Sequence, residues 1–251
     1  MQTDLQILPS PETLADAAAA RFVAAAGEST GARGRFVVAL SGGTTPRRMY
    51  ERLAAPALAS QVKWSLVHVV WGDERCVPPD HAVSNYRMAR ETLLDRVPVP
   101  PANIHRIRGE DDPTVASAQY ETALRALLDT PSGAPRAVSG TCIDLVLLGL
   151  GADGHTASIF PGSAAVLEQS RWVTVTDTIG ASMRRVTLTA PVINAAAEVL
   201  FLVSGDGKAS VLKRVLERRG PAPELPAQMI APQNGRLRWY VDAAAAAAIG
   251  D

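Results

Sequence analysis

The best candidate for acid–base chemistry in this sequence is His155, which follows Asp153 at the end of a glycine-rich segment, residues 149–154. An imidazole beside a carboxylate can accept a proton near neutral pH, and such a general base contributes roughly 10²- to 10⁴-fold to a rate. Asp153 and Asp73 are candidates to orient that base or to contact substrate hydroxyls. The alternative is that His155 packs its ring at a helix start for structural reasons. The other histidines lie in surroundings that more often have structural roles: His68, His81 and His105.

A second segment suited to chemistry is SGGTTP, residues 41–46, which follows an apolar run and precedes a helix-like pattern. Gly42 and Gly43 let the backbone approach a ligand closely, and the hydroxyls of Ser41 and Thr44 add donors. The start of a helix directs unpaired N–H groups outward, which favours an anion such as phosphate. The segment therefore predicts a phosphate-binding loop, and the alternative is a tight turn with a helix cap.

Two further segments place cations after apolar runs. Residues 71–75, WGDER, carry Asp73 and Arg75, and the guanidinium of Arg75 could bind an oxyanion or a phosphate through paired donors. Residues 204–208, SGDGK, place Lys208 in the first turn of a predicted helix, where a cation is unfavourable to the helix dipole. A bound phosphate would account for that lysine. Solvated side chains are the alternative in both segments.

Two short motifs match known catalytic patterns but lack the context that these patterns need. Residues 27–31, GESTG, match a nucleophile elbow, which requires a strand before the serine and a helix after it, and here the predicted order is reversed. Residues 149–154 match a dinucleotide-binding fingerprint, with Asp177 near the position of its acidic residue. Pro161 would interrupt the following helix after about two turns, and Asp153 would place negative charge beside a pyrophosphate.

Hydrophobic periodicity predicts the elements that position these residues. Short β-rich runs alternate with amphipathic segments, which is typical of a parallel sheet with helices on both faces. Continuous Val and Leu runs indicate strands that are covered on both sides. The sequence therefore predicts an α/β, doubly wound, mostly parallel, Rossmann-like fold in a single domain over residues 1–251, with ligands outside the carboxyl ends of the strands. The predicted strands are residues 36–40, 66–71, 143–148, 172–176, 186–189, 199–203 and 238–241.

Helix boundaries are marked by residues with known capping preferences. Residues 207–219 show a continuous apolar stripe that ends before Gly220 and Pro221. Residues 130–140 are rich in Pro, Gly and Ser, so they predict a surface loop rather than a domain boundary. Residues 243–251 begin with an alanine run and predict a short helical or frayed tail. A capping residue followed by proline marks predicted helix starts at residues 10–11, 45–46 and 112–113.

Composition bears on the partners of the protein. The 251 residues carry 25 Lys plus Arg and 25 Asp plus Glu, so no overall field favours nucleic acid or an anionic membrane, and an anion site must be local. Two cysteines, Cys76 and Cys142, are too few for a disulfide framework and suit a reducing compartment. No segment predicts a membrane span or a targeting signal. We expect a cytoplasmic protein, monomeric or weakly self-associating, and no metal, because the candidate ligands lack tight spacing.

Five segments, taken in order, resemble the 6-phosphogluconolactonase family. They read ALSGGTTP at 39–46, WGDERCVPPDHAVSNY at 71–86, LVLLGLGADGHTASIFPG at 145–162, RVTLTAPVINAA at 185–196 and SGDGKASVL at 204–212. The resemblance implies hydrolysis of 6-phosphoglucono-1,5-lactone to 6-phosphogluconate in the oxidative pentose phosphate pathway, without metal or organic cofactor. It implies that His155 is the base that activates water. It also assigns these residues to the phosphate and substrate pocket: Ser41, Gly42, Gly43, Thr44, Arg75, Lys208 and Arg185.

Two alternatives stand beside this resemblance. Glucosamine-6-phosphate deaminases share the Gly-Gly-Thr and Gly-His segments, but they carry a tyrosine after the Asp-Glu pair and a glutamate five residues beyond the histidine. This chain has Arg75 and Phe160 at those positions, so a deaminase would lack its second carboxylate. The other alternative is a sugar-phosphate sensor, a binding module without turnover. Such sensors usually carry a DNA-binding helix pair in front, whereas about 35 residues precede the first predicted strand here.

Overall fold

The computed structural model describes residues 3–128, 143–177, 183–217 and 224–249. Within these ranges the chain forms nine strands and seven α-helices. The strands are β1 (Thr3–Leu8), β2 (Phe36–Leu40), β3 (Val67–Trp71), β4 (Asp73–Arg75), β5 (Leu145–Leu148), β6 (Val173–Thr176), β7 (Arg185–Leu188), β8 (Glu198–Val203) and β9 (Arg236–Asp242). The helices are α1 (Pro11–Arg33), α2 (Thr44–Leu53), α3 (Pro56–Ala59), α4 (Asn85–Thr92), α5 (Pro113–Leu128), α6 (Ala190–Asn194) and α7 (Ala209–Leu216).

The larger sheet has six strands in the order β1-β9-β8-β5-β2-β3, and all its neighbouring pairs are parallel. The chain leaves β2 toward β3 on one side and leaves β5 toward β8 on the other, so its direction reverses between β2 and β5. Because such crossovers are right-handed, helices fall on both faces of the sheet, and α1 packs against α2. The predicted doubly wound, mostly parallel fold is confirmed. In doubly wound sheets such a reversal places the ligand crevice outside the carboxyl ends of the strands, here β2 and β5.

The central strands form a rigid base for the loops at this edge. Every residue of β2, β5 and β8 is buried, as continuous apolar runs covered on both sides require. Toward the other edge, the rings of Phe201 and Trp239 stack with centroids 3.9 Å apart. Full burial of one large apolar side chain contributes about 1.5–3 kcal/mol, so the strand ends are held by many favourable contacts.

A second sheet, antiparallel and ordered β4-β7-β6, joins the first at Gly72. The N–H of Gly72 donates to the carbonyl of Leu40 at 2.9 Å, and its own carbonyl accepts from the N–H of Leu188 at 2.8 Å. The sequence predicted β6 and β7 but not β4, because three polar residues, Asp73–Arg75, give no apolar periodicity. Pairing with β7 makes this segment a strand. Asp73 therefore lies where the two sheets meet.

Both ends of the described chain differ from expectation. The segment Thr3–Leu8 was not predicted as a strand, yet it pairs in parallel with β9 along its whole length. Its isoleucine, Ile7, is 52% exposed, as suits a short edge strand with one open side. The prediction of a frayed tail is wrong as far as residue 249: Ala245 and Ala246 are buried, and the N–H of Ala245 donates to Asp242 Oδ1 at 2.8 Å.

The two motifs that lacked context lack it in the structure as well. Residues 27–31 lie inside the long helix α1 rather than between a strand and a helix. The dinucleotide-like residues 149–154 follow β5, but the chain then forms turns and a bridge between Thr156 and Ile159 instead of the expected short helix. Neither arrangement fits the pattern that its sequence matched.

The predicted helix 207–219 is present as α7, preceded by a single 3₁₀ turn, Asp206–Lys208. Its last two predicted residues, the predicted loop 130–140, Cys142 and the Gly220-Pro221 stop signal lie outside the described residues. No helix in the described part of the chain has the length and apolar character needed to cross a membrane.

Candidate active site

The loop after β2 is fixed at its first residue by a tyrosine from α2. The hydroxyl of Tyr50 accepts from the N–H of Ser41 at 3.0 Å and donates to the Ser41 carbonyl at 2.9 Å. Gly43 then has φ +112°, which side chains rarely adopt, and it caps the start of α2. The first N–H groups of α2 have no partner within their own helix. The loop therefore presents open backbone donors at the carboxyl edge, with Thr44 exposed beside them.

Gly42 owes its identity to a neighbour that the sequence did not single out. A Cβ on Gly42 would lie 1.9 Å from Oδ1 of Asn85, the first residue of α4, so no larger residue fits. The amide of Asn85 donates to the carbonyl of Asp73 at 3.0 Å and to its Oδ1 at 3.2 Å. Asn85 thus connects the loop after β2 with the carboxylate at the start of β4.

Asp73 is the hub of this half of the site. It is 5% exposed, and its Oδ2 accepts from the hydroxyl of the fully buried Ser158 at 2.5 Å. The same oxygen lies 3.8 Å from Nη1 of Arg185. With Asn85 on its other oxygen, the carboxylate is committed to three protein groups. This arrangement makes Asp73 an organiser of the site, and the described contacts do not include one between Asp73 and His155.

The adjacent Glu74 points to the other side of β4 and anchors helix α4. Its carboxylate accepts from the N–H groups of Asn85 at 2.8 Å and Tyr86 at 2.7 Å, and from the hydroxyl of Ser84 at 3.0 Å. Burial raises the pKa of Glu74, and the backbone donors oppose that rise. Negative charge at a helix N-terminus is favourable. Glu74 was not assigned a role from sequence, yet it holds Asn85 in place.

Two guanidinium groups lie side by side on the second sheet. Arg75 and Arg185 are directly paired across β4 and β7. Arg75 donates through Nη1 to the carbonyl of Val83. Burial lowers the pKa of Arg185, although Asp73 favours its charged form. Because like charges repel, two arginines held this close favour an anion between or beside them.

The loop after β5 contains a carboxylate–imidazole pair. Oδ1 of Asp153 lies 2.5 Å from Nδ1 of His155 and accepts from its backbone N–H at 3.1 Å. Burial raises the pKa of Asp153, but hydrogen bonds from His155 outweigh it and hold that pKa below its ordinary value. A carboxylate at Nδ1 favours the tautomer with its proton there, which leaves Nε2 as the basic nitrogen. Gly151 lies directly beneath, since a Cβ there would approach His155 Nδ1 to 2.1 Å.

The loop before α7 is held from below by a carboxylate at the end of β9. Asp242, 1% exposed, accepts from the hydroxyl of Ser204 at 2.5 Å and from the N–H of Gly205 at 3.1 Å. The ammonium of Lys208 has no hydrogen bond or ion pair with any residue in the described ranges. Sequence reasoning missed Asp242, and it found the lysine because a cation in the first turn of a helix needs a reason.

Three predicted site residues carry buried polar atoms without partners. Among the described residues, six side-chain atoms are buried without a hydrogen bond, and they include Oγ of Ser41, Nε of Arg75 and Nε of Arg185. Buried polar atoms are nearly always paired, so such exceptions call for an explanation. All three residues were predicted from sequence to contact substrate. These three donors are therefore open to a ligand.

The predicted site residues form two connected groups. Gly42 and Arg185 reach Asp73 directly or through Asn85, and Asp153 pairs with His155. No described contact joins Lys208 or Thr44 to either group. No cluster of three or more His, Cys, Asp or Glu side chains that could hold a metal ion occurs in residues 3–128, 143–177, 183–217 and 224–249.

Comparison with known proteins gives consistent relatives. The family described as glucosamine-6-phosphate isomerases/6-phosphogluconolactonase matches residues 9–239. A 6-phosphogluconolactonase from Nostoc sp. is 43% identical over 216 residues, which cover 86% of this chain and 85% of the relative. A probable chloroplastic 6-phosphogluconolactonase 3 from Oryza sativa subsp. indica is 39% identical over 241 residues, which cover 95% of this chain and 73% of the relative.

Solved structures agree over nearly the whole chain. The 6-phosphogluconolactonase from Trypanosoma brucei superposes with a TM-score of 0.85 at 29% identity, covering 99% of both chains. A monomeric glucosamine-6-phosphate deaminase reaches a TM-score of 0.79 at 20% identity, covering 98% of this chain and 99% of that one, a likeness of fold alone. With a family match across most of its length and relatives at about 40% identity, the chain belongs to the glucosamine-6-phosphate isomerase/6-phosphogluconolactonase family.

Proposed function

We propose that this protein hydrolyses 6-phosphoglucono-1,5-lactone to 6-phosphogluconate, in the oxidative pentose phosphate pathway. The observation that carries the proposal is the Asp153–His155 pair, and buried donor atoms of Ser41, Arg75 and Arg185 without partners accompany it. A basic imidazole and unsatisfied donors are the two components that ester hydrolysis needs. The relatives named as 6-phosphogluconolactonases support the same reaction.

In the proposed mechanism His155 acts first as a base and then as an acid. Its Nε2 takes a proton from water while the water oxygen forms a bond to the lactone carbonyl carbon. The carbonyl oxygen becomes an oxyanion, which Arg75 or N–H groups of residues 149–154 stabilise. When the tetrahedral intermediate collapses, the bond between the carbonyl carbon and the ring oxygen breaks, and that oxygen takes the proton from the imidazolium. Asp153 holds Nδ1 throughout and stabilises the transient positive charge.

The phosphate of the substrate is proposed to bind away from the reacting carbonyl. Its ligands are the backbone donors of Gly42 and Gly43, the hydroxyl of Thr44 and the ammonium of Lys208. The helix start beyond Gly43 adds a favourable dipole. Binding energy from this remote group can orient the carbonyl against His155. The two arginines of the second sheet are assigned to the same substrate, at its hydroxyls or its developing oxyanion.

The test is acid release from freshly generated 6-phosphoglucono-1,5-lactone, followed against spontaneous hydrolysis in the same buffer. We expect strong acceleration that a chelator does not reduce. No acceleration would contradict the proposal, and loss of activity in a chelator with recovery on adding a divalent ion would contradict the metal-free mechanism. A sensor of sugar phosphates would bind the product but leave the rate of hydrolysis unchanged.

A deaminase is the weaker assignment because Phe160 occupies the place of the carboxylate that deaminases use. Its ring centroid lies 4.4 Å from that of His155, so a phenyl ring rather than a carboxylate contacts the imidazole from position 160. We further propose that the protein works in the cytoplasm as a monomer or weak homo-oligomer. Because the rice relative is named as chloroplastic, cell fractionation and analytical sedimentation are the direct tests of these two statements.

A further inference from the structure

Phe160 is the side chain where the two groups of the candidate site meet. One side of its ring lies against the imidazole of His155, with centroids 4.4 Å apart and planes tilted by 46°. The guanidinium carbon of Arg185 lies 5.4 Å from the centroid of the same ring. Arg185 in turn faces Asp73. A single buried aromatic ring thus touches both the proposed base and the cation of the Asp73 group.

The backbone that carries this ring is held tightly. The carbonyl of Phe160 accepts from both the N–H and the hydroxyl of Ser163, at 3.1 and 2.8 Å. Two residues earlier, the N–H of Ser158 donates to Thr187 Oγ1 at 3.1 Å. Ala157 has φ +48°, a left-handed conformation that costs energy for alanine and persists only when the surroundings determine it. The position of the ring is therefore set by the fold, not by solvent exposure or chance packing.

The pair between Asp153 and His155 leaves one freedom of the imidazole open. The hydrogen bond at Nδ1 restrains its distance to Asp153, but the Asp153 side chain is 51% exposed and can move together with the imidazole. Coupled rotation about the Cα–Cβ and Cβ–Cγ bonds of His155 can therefore keep this bond and still displace Nε2. Contact with the ring of Phe160 opposes that displacement. Arg185, on the same phenyl ring, is attracted to its π-system, so the guanidinium also has a defined place relative to the imidazole.

We propose that Phe160 is a positioning residue that sets the plane of the His155 ring and thereby aims Nε2 at the attacking water. This inference rests on the proposed function, in which Nε2 is the base. It assigns to one aromatic residue the task of keeping base and guanidinium at a fixed separation. A displacement of a catalytic group by about 1 Å can lower a rate about 100-fold, so a loss of this contact has a measurable cost.

The kinetic test compares Phe160→Leu, Phe160→Tyr and the control Phe22→Leu. Phe22 is a buried phenylalanine of α1 that packs on Phe36 and lies outside the site, so its variant makes the same chemical change in the core. We expect Phe160→Leu to lower kcat at least about tenfold with little change in KM. Phe160→Tyr, which keeps an aromatic ring, should retain most of the wild-type kcat. Phe22→Leu should leave kcat unchanged. Equal kcat values for Phe160→Leu and wild type, or equal losses in both leucine variants, would overturn the proposal.

A second readout does not depend on activity. The ring ¹⁵N and carbon-bound ¹H resonances of His155, identified by their absence in His155→Gln, report its tautomer and the ring current of Phe160. We expect one defined tautomer and a ring-current shift in wild type, with averaging and loss of the shift in Phe160→Leu. Unchanged His155 resonances would refute the positioning role even if the protein is a lactonase. If wild type shows no lactonase activity, the proposed function fails, and these resonances still show whether Phe160 holds the ring of His155 in place.

Discussion

The Asp73 region and the Lys208 region both carry charged residues at the carboxyl edge of the sheet, but the two charges differ in their contacts with the rest of the protein. Asp73 is buried and accepts from Ser158 and Asn85, with Arg185 nearby. Lys208 is part-exposed, and in the described part of the chain its ammonium contacts no partner. A charge whose hydrogen bonds are all made to protein groups can organise a site, whereas a charge without such partners is available to a ligand.

The Asp153–His155 pair stands between these extremes. Nδ1 of His155 is committed to Asp153, and its side chain is 29% exposed, so the other ring nitrogen can reach substrate. A histidine that acts as a general base needs one ring nitrogen held by the protein and the other free to contact substrate. Substitutions in the fixed, half-fixed and open groups should therefore affect different measured properties.

The largest effect is expected for His155→Gln. Glutamine keeps a hydrogen-bonding side chain of similar reach but cannot accept a proton near neutral pH, so kcat should fall roughly 10²- to 10⁴-fold. Substrate affinity and thermal stability should change little, because the side chain is part-exposed. Steady-state kinetics and thermal melts measure these effects. Near-normal kcat would move the catalytic role to Asp153 or Asp73.

A substitution at Asp73, whose carboxylate contacts several protein groups, should lower the stability of the fold. Asp73→Asn removes the charge that faces Arg185 and leaves a partly buried guanidinium without its counter-ion, so we expect a loss of about 1–3 kcal/mol in the free energy of unfolding. Activity should fall as well, since Asp73 holds Asn85, which lies against Gly42 of the loop after β2. The control is Asp16→Asn, which breaks an exposed ion pair with Arg52 and should cost at most about 1 kcal/mol. Urea unfolding that gives equal losses for the two variants would remove Asp73 from its central place.

A substitution at Lys208 should weaken the binding of substrate. Lys208→Ala should raise KM by about 10- to 100-fold, the range expected for a charge-assisted bond to phosphate. It should leave the pH dependence of kcat and the stability nearly unchanged, because the lysine has no described internal partner. Lys63→Ala, at an exposed position outside the site, is the matched control. A fall in kcat with constant KM would mean that Lys208 acts in the chemical step rather than in holding the phosphate.

Contacts between residues close together in the sequence could be predicted from it, whereas contacts between distant residues could not. Asp153 and His155 are two residues apart, so their pairing was predictable from their position after an apolar run. Ser158 and Asp73 are 85 residues apart, and their hydrogen bond depends on β4, a strand of three polar residues that only pairing with β7 creates. Local patterns therefore identified the groups that we propose to act on a ligand, whereas the groups that hold them required the fold.

The glycines of the site show the same limit. Gly42 and Gly43 were predicted to permit a close approach of ligand to backbone, and the φ of Gly43 fits that reading. Gly42, however, also needs to lack a side chain because Asn85 lies against it. The parallel sheet was predictable since buried strands are continuous apolar runs. The edge strand Thr3–Leu8 was not, because a short strand with one open side has little apolar pattern.

The smallest effect concerns a histidine pair outside the site. Nδ1 of His68 lies 3.3 Å from Nε2 of His105, and burial lowers the pKa of both below the ordinary 6.5. His105 and Arg35 lower that of His68 further. A lowered folded-state pKa gives stability that is present above about pH 6.5 and is lost as pH falls through the folded values. His105→Gln should therefore make the free energy of unfolding less dependent on pH between 7 and 5. The control is the exposed His81→Gln, and equal slopes in all three proteins would contradict this account.

We propose that the loop after β2 and Lys208 bind the phosphate and so orient the lactone carbonyl toward His155. Wild-type kcat/KM for 6-phosphoglucono-1,5-lactone and for unphosphorylated glucono-1,5-lactone tests this claim. We expect kcat/KM to be at least about 100-fold higher for the phosphorylated lactone, because several donors of the loop and Lys208 act on a group remote from the carbonyl. The Lys208→Ala variant should narrow this ratio by lowering only the value for the phosphorylated lactone. Comparable kcat/KM values for the two lactones in wild type would contradict the claim.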